Sequence, residues 1–228
     1  MHALVLADGD LAGKPELDRA WPGWDDDVGL VIAADGGARG GAALGRTLDL
    51  VVGDGDSLGD EALAALAVEG VAIERSPAAK DETDTELAIL AALARGAGRI
   101  TVLGAFGGPR LDHELANVAL LAHPALRGTD CVLIGRSARV RLLDAPGPGG
   151  ASVRVTLPGP RGALVSLLPL DAEVEGVTTE GLEYPLRSEP LPLGPARGLS
   201  NVRTRGSATV ELRHGRLLIV ESAATLDR

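Results

Sequence analysis

The sequence predicts two regions of different class: an N-terminal α/β domain with a mostly parallel, Rossmann-like three-layer sheet, and a C-terminal all-β sandwich. Three observations carry that reading. Up to about residue 135, short apolar runs rich in Val, Ile and Leu alternate with Ala/Leu-rich helical stretches. Such alternation builds a parallel sheet covered by helices on both faces. From about residue 138 helical periodicity disappears, and Gly and Pro separate strand-like runs instead. We place the domains at residues 1–137 and 138–228, and 228 residues suffice for two such units.

The first region offers six strand-like runs, at residues 3–7, 29–34, 50–53, 71–74, 99–103 and 131–135. They are short and continuously apolar, as strands buried on both faces are. Residues 60–68, 86–94 and 113–122 read as helices between them. In the second region strands are expected at 153–157, 163–169, 202–206, 207–213 and 216–221. His214-Gly215 separates the last two and predicts a hairpin. Antiparallel strands of this spacing pack as a sandwich.

Composition narrows the function. Aromatics make up only 2 % of the chain, so Ala, Val, Leu and Ile must fill the core. The net charge is −10 and no Lys/Arg run occurs, which argues against nucleic acid as a partner. An acidic protein instead attracts cations, or binds a polyanion through metal ions. Cys131 stands alone, so neither an intrachain disulfide nor a cysteine metal site is expected. No apolar run approaches the length of a membrane span. The N-terminus has no basic segment and carries Asp8, unlike a signal peptide, so a cytoplasmic location is expected.

Ligands of a doubly wound sheet bind beyond the carboxyl ends of its strands, and the acidic residues collect there. Asp35-Gly36-Gly37-Ala38 follows the second run. Asp54, Asp56 and Ser57 follow the third, in Gly53-Asp54-Gly55-Asp56-Ser57. Lys80-Asp81-Glu82-Thr83-Asp84-Thr85-Glu86 precedes a helix, and Gly107-Gly108-Pro109-Arg110-Leu111-Asp112-His113 follows the fifth run. Each motif has an ordinary reading. Asp-Gly-Gly is a common turn, Thr83 and Glu86 fit a capping box, Gly107-Gly108 fits a tight turn, and Asp112 fits a helix N-cap.

Taken together, four strand ends carrying carboxylates and glycines point to one site. Clustered carboxylates repel unless a cation neutralises them. Oxygen ligands with little His and no Cys favour Mg²⁺, bridged to substrate phosphates. Lys80 and Arg110 supply positive charge, and the glycines let backbone approach phosphate. The pattern is that of a Mg-nucleotide phosphotransfer site. It is not a P-loop, a protein-kinase site or a dinucleotide fold, since G-x-x-x-x-G-K-[ST], H-R-D, D-F-G and G-x-G-x-x-G are missing.

These motifs, with Asn117, Gly181-Leu182-x-Tyr184-Pro185-Leu186 and Ser200-Asn201, resemble in order and spacing the thiamine pyrophosphokinases. The resemblance covers nearly the whole chain. It implies an ATP-dependent diphosphotransferase: a homodimer with shared active sites that moves pyrophosphate from ATP to the thiamine hydroxyl and releases AMP. It implies Mg²⁺ held by Asp54, Asp56 and Asp84, with Asp81 a candidate base. ATP and its phosphates would meet Asp35, Gly36, Ser57, Lys80, Thr83, Gly107, Gly108, Arg110, Asp112 and His113. Tyr184, Ser200 and Asn201 would bind thiamine. Three positions depart from the family pattern: Gly55 replaces an aromatic residue, Pro109 lengthens its loop by one, and Val202 replaces an acid. A hydroxymethylpterin pyrophosphokinase or a non-catalytic Mg-nucleotide sensor are the alternative readings.

Overall fold

A computed structural model describes residues 1–77, 79–147 and 150–225. The chain forms two compact units, Met1–Arg136 and Ser137–Arg228.

Six strands build the sheet of the first unit: β1 His2–Leu6, β2 Val28–Ala34, β3 Leu50–Gly53, β4 Ala72–Arg75, β5 Arg99–Leu103 and β6 Asp130–Ile134. Their order is β6-β5-β1-β2-β3-β4, and every neighbouring pair is parallel. Ala3, Leu4, Val5 and Leu6 of the central β1 are inaccessible to solvent, as are Ile32, Ile100 and Val102 of its neighbours. Among the described residues five α-helices accompany the sheet: α1 Lys14–Ala20, α2 Arg39–Ala43, α3 Asp60–Val68, α4 Asp84–Ala94 and α5 Leu111–Leu120. The strand order runs outward from β1 to β4, then returns to β5 on the other side of β1. The crevice beyond β1 and β5 is therefore the topological switch point, where a doubly wound sheet binds its ligand.

The sequence did not announce α1, which is short and polar. It opens on Lys14-Pro15, a start that proline's fixed φ favours.

Among its described residues the second unit holds two sets of antiparallel strands. Its strands are β7 Ala138–Ala145, β8 Val153–Pro158, β9 Ala163–Pro169, β10 Glu173–Glu180, β11 Arg187–Pro192, β12 Asn201–Val202, β13 Ser207–Leu212 and β14 Gly215–Thr225. One sheet is ordered β12-β9-β14-β7 and the other β11-β10-β13-β8. Leu157, Val165, Val174, Val177, Val210, Leu212, Leu217 and Ile219 pack together as the core of the unit.

The expected hairpin at His214-Gly215 does not form. Leu212 pairs with Val153 in one sheet, whereas Gly215 pairs with Ala145 in the other. Primed two-residue turns need positive φ at both central residues or glycine first. Gly215 has φ 97°, but His214 precedes it with negative φ, so the chain crosses between sheets. The strand expected at 202–206 also shrinks to Asn201–Val202. Strands β7, β10 and β11 were not anticipated. β11 contains Pro190 and Pro192 and lies at a sheet edge, where missing N–H donors are tolerated.

Candidate active site

The loop after β1, residues 7–10, and the loop after β5 lie side by side. The Ala7, Gly9 and Asp10 N–H groups donate to the carbonyls of Leu103, Gly104 and Phe106 at 2.7–2.9 Å. The first turn of this loop, Asp8-Gly9-Asp10, escaped the sequence reading, though an acid-glycine pair ending a buried strand was its visible signal. Gly107 has φ +77°, and a side chain there would lie 2.5–2.6 Å from the Asp10 side chain. The glycines of this loop thus serve close packing as well as access.

The Asp-Gly-Gly-Ala segment forms a single 3₁₀ turn that leads into α2. It presses against the end of β1, so a methyl on Gly37 would collide with the Leu6 carbonyl oxygen. Backbone cannot retreat cheaply from such contact. Gly37→Ala is expected to destabilise the protein by about 1–3 kcal/mol, the usual range for overpacking, and a thermal denaturation series checks it. Unchanged Tm would mean that β1 and this turn can separate without cost.

Asp35 is buried at 2 % exposure. Its carboxylate accepts hydrogen bonds from the Ser57 N–H at 3.0 Å and the Leu58 N–H at 3.2 Å. It therefore ties the end of β2 to the loop after β3. Burial pushes the Asp35 carboxyl above the ordinary carboxylate range, with Asp56 and Asp84 beside it adding to the rise. The Ser57 hydroxyl, donating to Asp56 at 3.1 Å, holds the Asp56 carboxyl below that range.

Carboxylate oxygens of Asp35, Asp54 and Asp84 lie within 4.8 Å of one another. The resemblance implies Asp54, Asp56 and Asp84 as metal ligands; this grouping contains two of them with Asp35. Asp35 has φ 39°, a left-handed conformation uncommon for a side-chain residue, and no sequence pattern announces it. Asp56 is exposed, next to Asp35.

Thr83 caps α4, its hydroxyl accepting from the Glu86 N–H at 3.1 Å. That places Asp84 in the first turn of the helix, facing the group. Lys80 Nζ donates to the Ser76 hydroxyl at 2.6 Å and to the Asp84 carboxylate. Its side chain is only 13 % exposed, so this lysine is built into the site. Asp81, by contrast, is exposed and absent from the cavity lining among the described residues.

A cavity of about 400 Å³ opens at the switch point. Its lining includes Asp8, Asp35, Gly36, Ser57, Lys80, Thr83 and Asp84, and also Gly107, Gly108, Arg110, His113 and Asn117. Asn117 is buried and donates to the Ala105 carbonyl at 2.9 Å. Asp112 is not the N-cap of α5; that position is Arg110. Instead Asp112 receives two hydrogen bonds from the Arg110 guanidinium, at 2.9 and 2.5 Å, which hold its carboxyl down at about 2. Both side chains are exposed.

In the second unit, Tyr184 sits on the loop between β10 and β11 and is 50 % exposed. Ser200 is also exposed, with φ 55°, and its N–H donates to the Ser166 hydroxyl at 3.0 Å. Asn201 is buried.

Residues 24–133 match the model of the thiamin pyrophosphokinase catalytic domain, and residues 153–217 match that of the thiamin pyrophosphokinase vitamin B1 binding domain. The chain belongs to the thiamin pyrophosphokinase family. Membership carries the activity: ATP-dependent diphosphoryl transfer to thiamine. The thiamine pyrophosphokinase of Bacillus subtilis (strain 168) is 26 % identical over 213 residues, covering 93 % of this chain and 92 % of that one. Among solved structures, the thiamin pyrophosphokinase of Geobacillus thermodenitrificans is similar at TM-score 0.78 and 27 % identity, over 97 % of both chains. A thiamin pyrophosphokinase family protein of Enterococcus faecalis is similar at TM-score 0.78 and 26 % identity, over the full length of both. The catalytic-domain match spans Asp35, Asp54 and Asp84 and the cavity lining apart from residues 7–9; the B1-binding match spans Tyr184, Ser200 and Asn201.

Proposed function

We propose that the donor is Mg-ATP, that AMP is the leaving group, and that the enzyme works in the cytoplasm as a homodimer with shared active sites. The grouping of Asp35, Asp54 and Asp84 within 4.8 Å beside the switch-point cavity carries the donor half of this reading. Three carboxylates so close, one of them buried, fit a hard divalent cation. Asp54 and Asp84 would hold Mg²⁺ with Asp35, and Asp56, held ionised by Ser57, is the carboxylate available to a second ion. When bound, Mg²⁺ neutralises charge on the transferred and leaving phosphates.

The chain's own groups do the rest. Lys80 lies within hydrogen-bond reach of Asp84 and on the cavity wall, placed to meet phosphate oxygens. Arg110 and His113 stand on the same cavity. Gly36, Ser57, Thr83, Gly107 and Gly108 present backbone and hydroxyl groups to the same anion. The thiamine hydroxyl attacks phosphorus directly, with no phospho-enzyme. Cys131 is buried, its thiol pushed up to about 12 by burial, and is no nucleophile. Asp81 is a weaker candidate base than its position in the motif suggests, since it lies off the cavity wall; His113 on that wall is the better placed group.

In the second unit, Tyr184 offers an exposed ring to a flat cationic heterocycle, and the exposed Ser200 offers a hydroxyl. The alternatives lose ground on two observations: the B1-binding match spans the acceptor candidates, and every carboxylate that a Mg-nucleotide site requires is present. No helix among the described residues is long and apolar enough to cross a membrane.

Incubation with Mg-ATP and thiamine tests the reading, with thiamine diphosphate and AMP expected in equal amounts. Release of ADP, or turnover only with a pterin alcohol, would overturn it. Lys80→Met is expected to raise the KM for Mg-ATP by about tenfold, the loss of one charge-assisted hydrogen bond, with the thiamine KM within about twofold. An unchanged Mg-ATP KM would remove Lys80 from phosphate binding.

A further inference from the structure

The Asn201 side chain is 7 % exposed, and its hydrogen bonds go to the protein itself. Its amide Nδ2 donates to the Tyr184 carbonyl at 2.7 Å. Its Oδ1 accepts from the Tyr184 N–H at 3.0 Å and from the Val202 N–H at 3.0 Å. The amide therefore grips both backbone polar groups of one residue, as a neighbouring strand would. The bonds around it extend that grip. The Glu183 N–H donates to the Val202 carbonyl and the Thr204 N–H to the Gly181 carbonyl, both at 2.9 Å, and Leu182 bridges Arg203. A buried amide engaged in this way has little left to offer a ligand.

We propose that Asn201 is a positioning residue for the acceptor loop rather than a thiamine contact: its carboxamide fixes the backbone of Tyr184, and so the direction in which the Tyr184 ring leaves the sandwich. This rests on the reading of Tyr184 as the surface that meets thiamine. A loop tip held at two backbone atoms pre-organises its ring, and binding then pays less to order it. Ser200, one residue earlier, is fixed by its own bond to Ser166, so the same short segment orients two exposed groups.

Tyr184 is the only tyrosine of the chain, which makes it a single reporter. Protein grown with 3-fluorotyrosine gives one ¹⁹F resonance from this ring. In the full-length wild type, thiamine shifts that resonance. In Asn201→Ala, the free protein's resonance moves toward the value of denatured protein, and the thiamine KM rises by roughly tenfold, as for one or two lost buried hydrogen bonds. The Mg-ATP KM and kcat stay within about twofold. Asn201→Ser keeps a shorter polar group that can make only part of this set of bonds, so it falls between the two and serves where the alanine variant folds poorly. Wild-type ¹⁹F shift and thiamine KM in both variants would overturn the positioning role. A wild-type resonance that thiamine leaves unmoved, with Tyr184→Ala unchanged in thiamine KM, would instead defeat the acceptor reading on which the role rests.

Discussion

Asp54→Asn is expected to lower kcat by about 10³-fold or more while leaving the fold intact. The site asks its carboxylates to hold the cation that offsets charge on the phosphates, an effect of several kcal/mol. At about 1.36 kcal/mol per decade, losing it costs roughly three decades in rate. The fold survives because the structural duty of Asp54 is small: its Oδ1 accepts the Asp56 N–H at 3.0 Å, and asparagine retains that oxygen. Asp35 makes the contrast. Both of its oxygens accept backbone N–H groups, so Asp35→Asn turns an NH₂ toward a donor. That variant should lose activity and also about 1–3 kcal/mol of stability. Steady-state kinetics beside a thermal melt separate the two effects. Near-normal turnover in Asp54→Asn would remove Asp54 from the cation's shell, and an unchanged melt in Asp35→Asn would deny the buried clamp.

The contrast also shows which parts of the site a sequence makes legible. Asp35, Asp54 and Asp84 could be named because each follows an apolar run or opens a helix, and chain order alone puts such positions at one edge of a parallel sheet. Which three come closest was not legible. That depends on the left-handed turn at Asp35 and on its bonds to residues 57 and 58, which are long-range facts. Asp8-Gly9 was passed over because its turn acquires meaning only once the loop after β5 lies against it. In the second unit, apolar alternation gave β8, β9, β13 and β14, but not β10, although its Val174 and Val177 lie in the core; β11 hides behind two prolines and β7 behind Arg139 and Arg141. The false hairpin at His214-Gly215 shows the same limit, since a short gap between two strands does not say which sheet each one joins. For Asn201 the sequence carries no signal of role, because burial and hydrogen-bond partners decide between a contact and a support.

Tyr184→Ala is expected to raise the thiamine KM by about tenfold or more while the Mg-ATP KM stays within about twofold, since a ring on a cation contributes up to about 2 kcal/mol. Tyr184 is half exposed in a chain with 2 % aromatics, so its ring is open to a ligand. The shared-site reading turns this variant into a sharper test. The carboxylates belong to the first unit and Tyr184 to the second, and the proposal places the Tyr184 of one chain against the carboxylates of the other. Tyr184→Ala and Asp54→Asn chains, each weak as homodimers, should then recover activity when unfolded together and refolded as a mixture. Each heterodimer contains one site with both defects and one with neither. At equal amounts half of the dimers are hybrids, and each carries half the wild-type complement of sites, so at low thiamine about a quarter of the wild-type rate is expected by symmetry for a twofold dimer. At low thiamine the rescue should be largest, because Tyr184→Ala homodimers contribute least there. Tagged purification of the hybrid fixes its fraction. Hybrids with no more activity than the average of their parents would mean that each chain completes its own site. A fully active monomer, isolated by gel filtration, would mean the same.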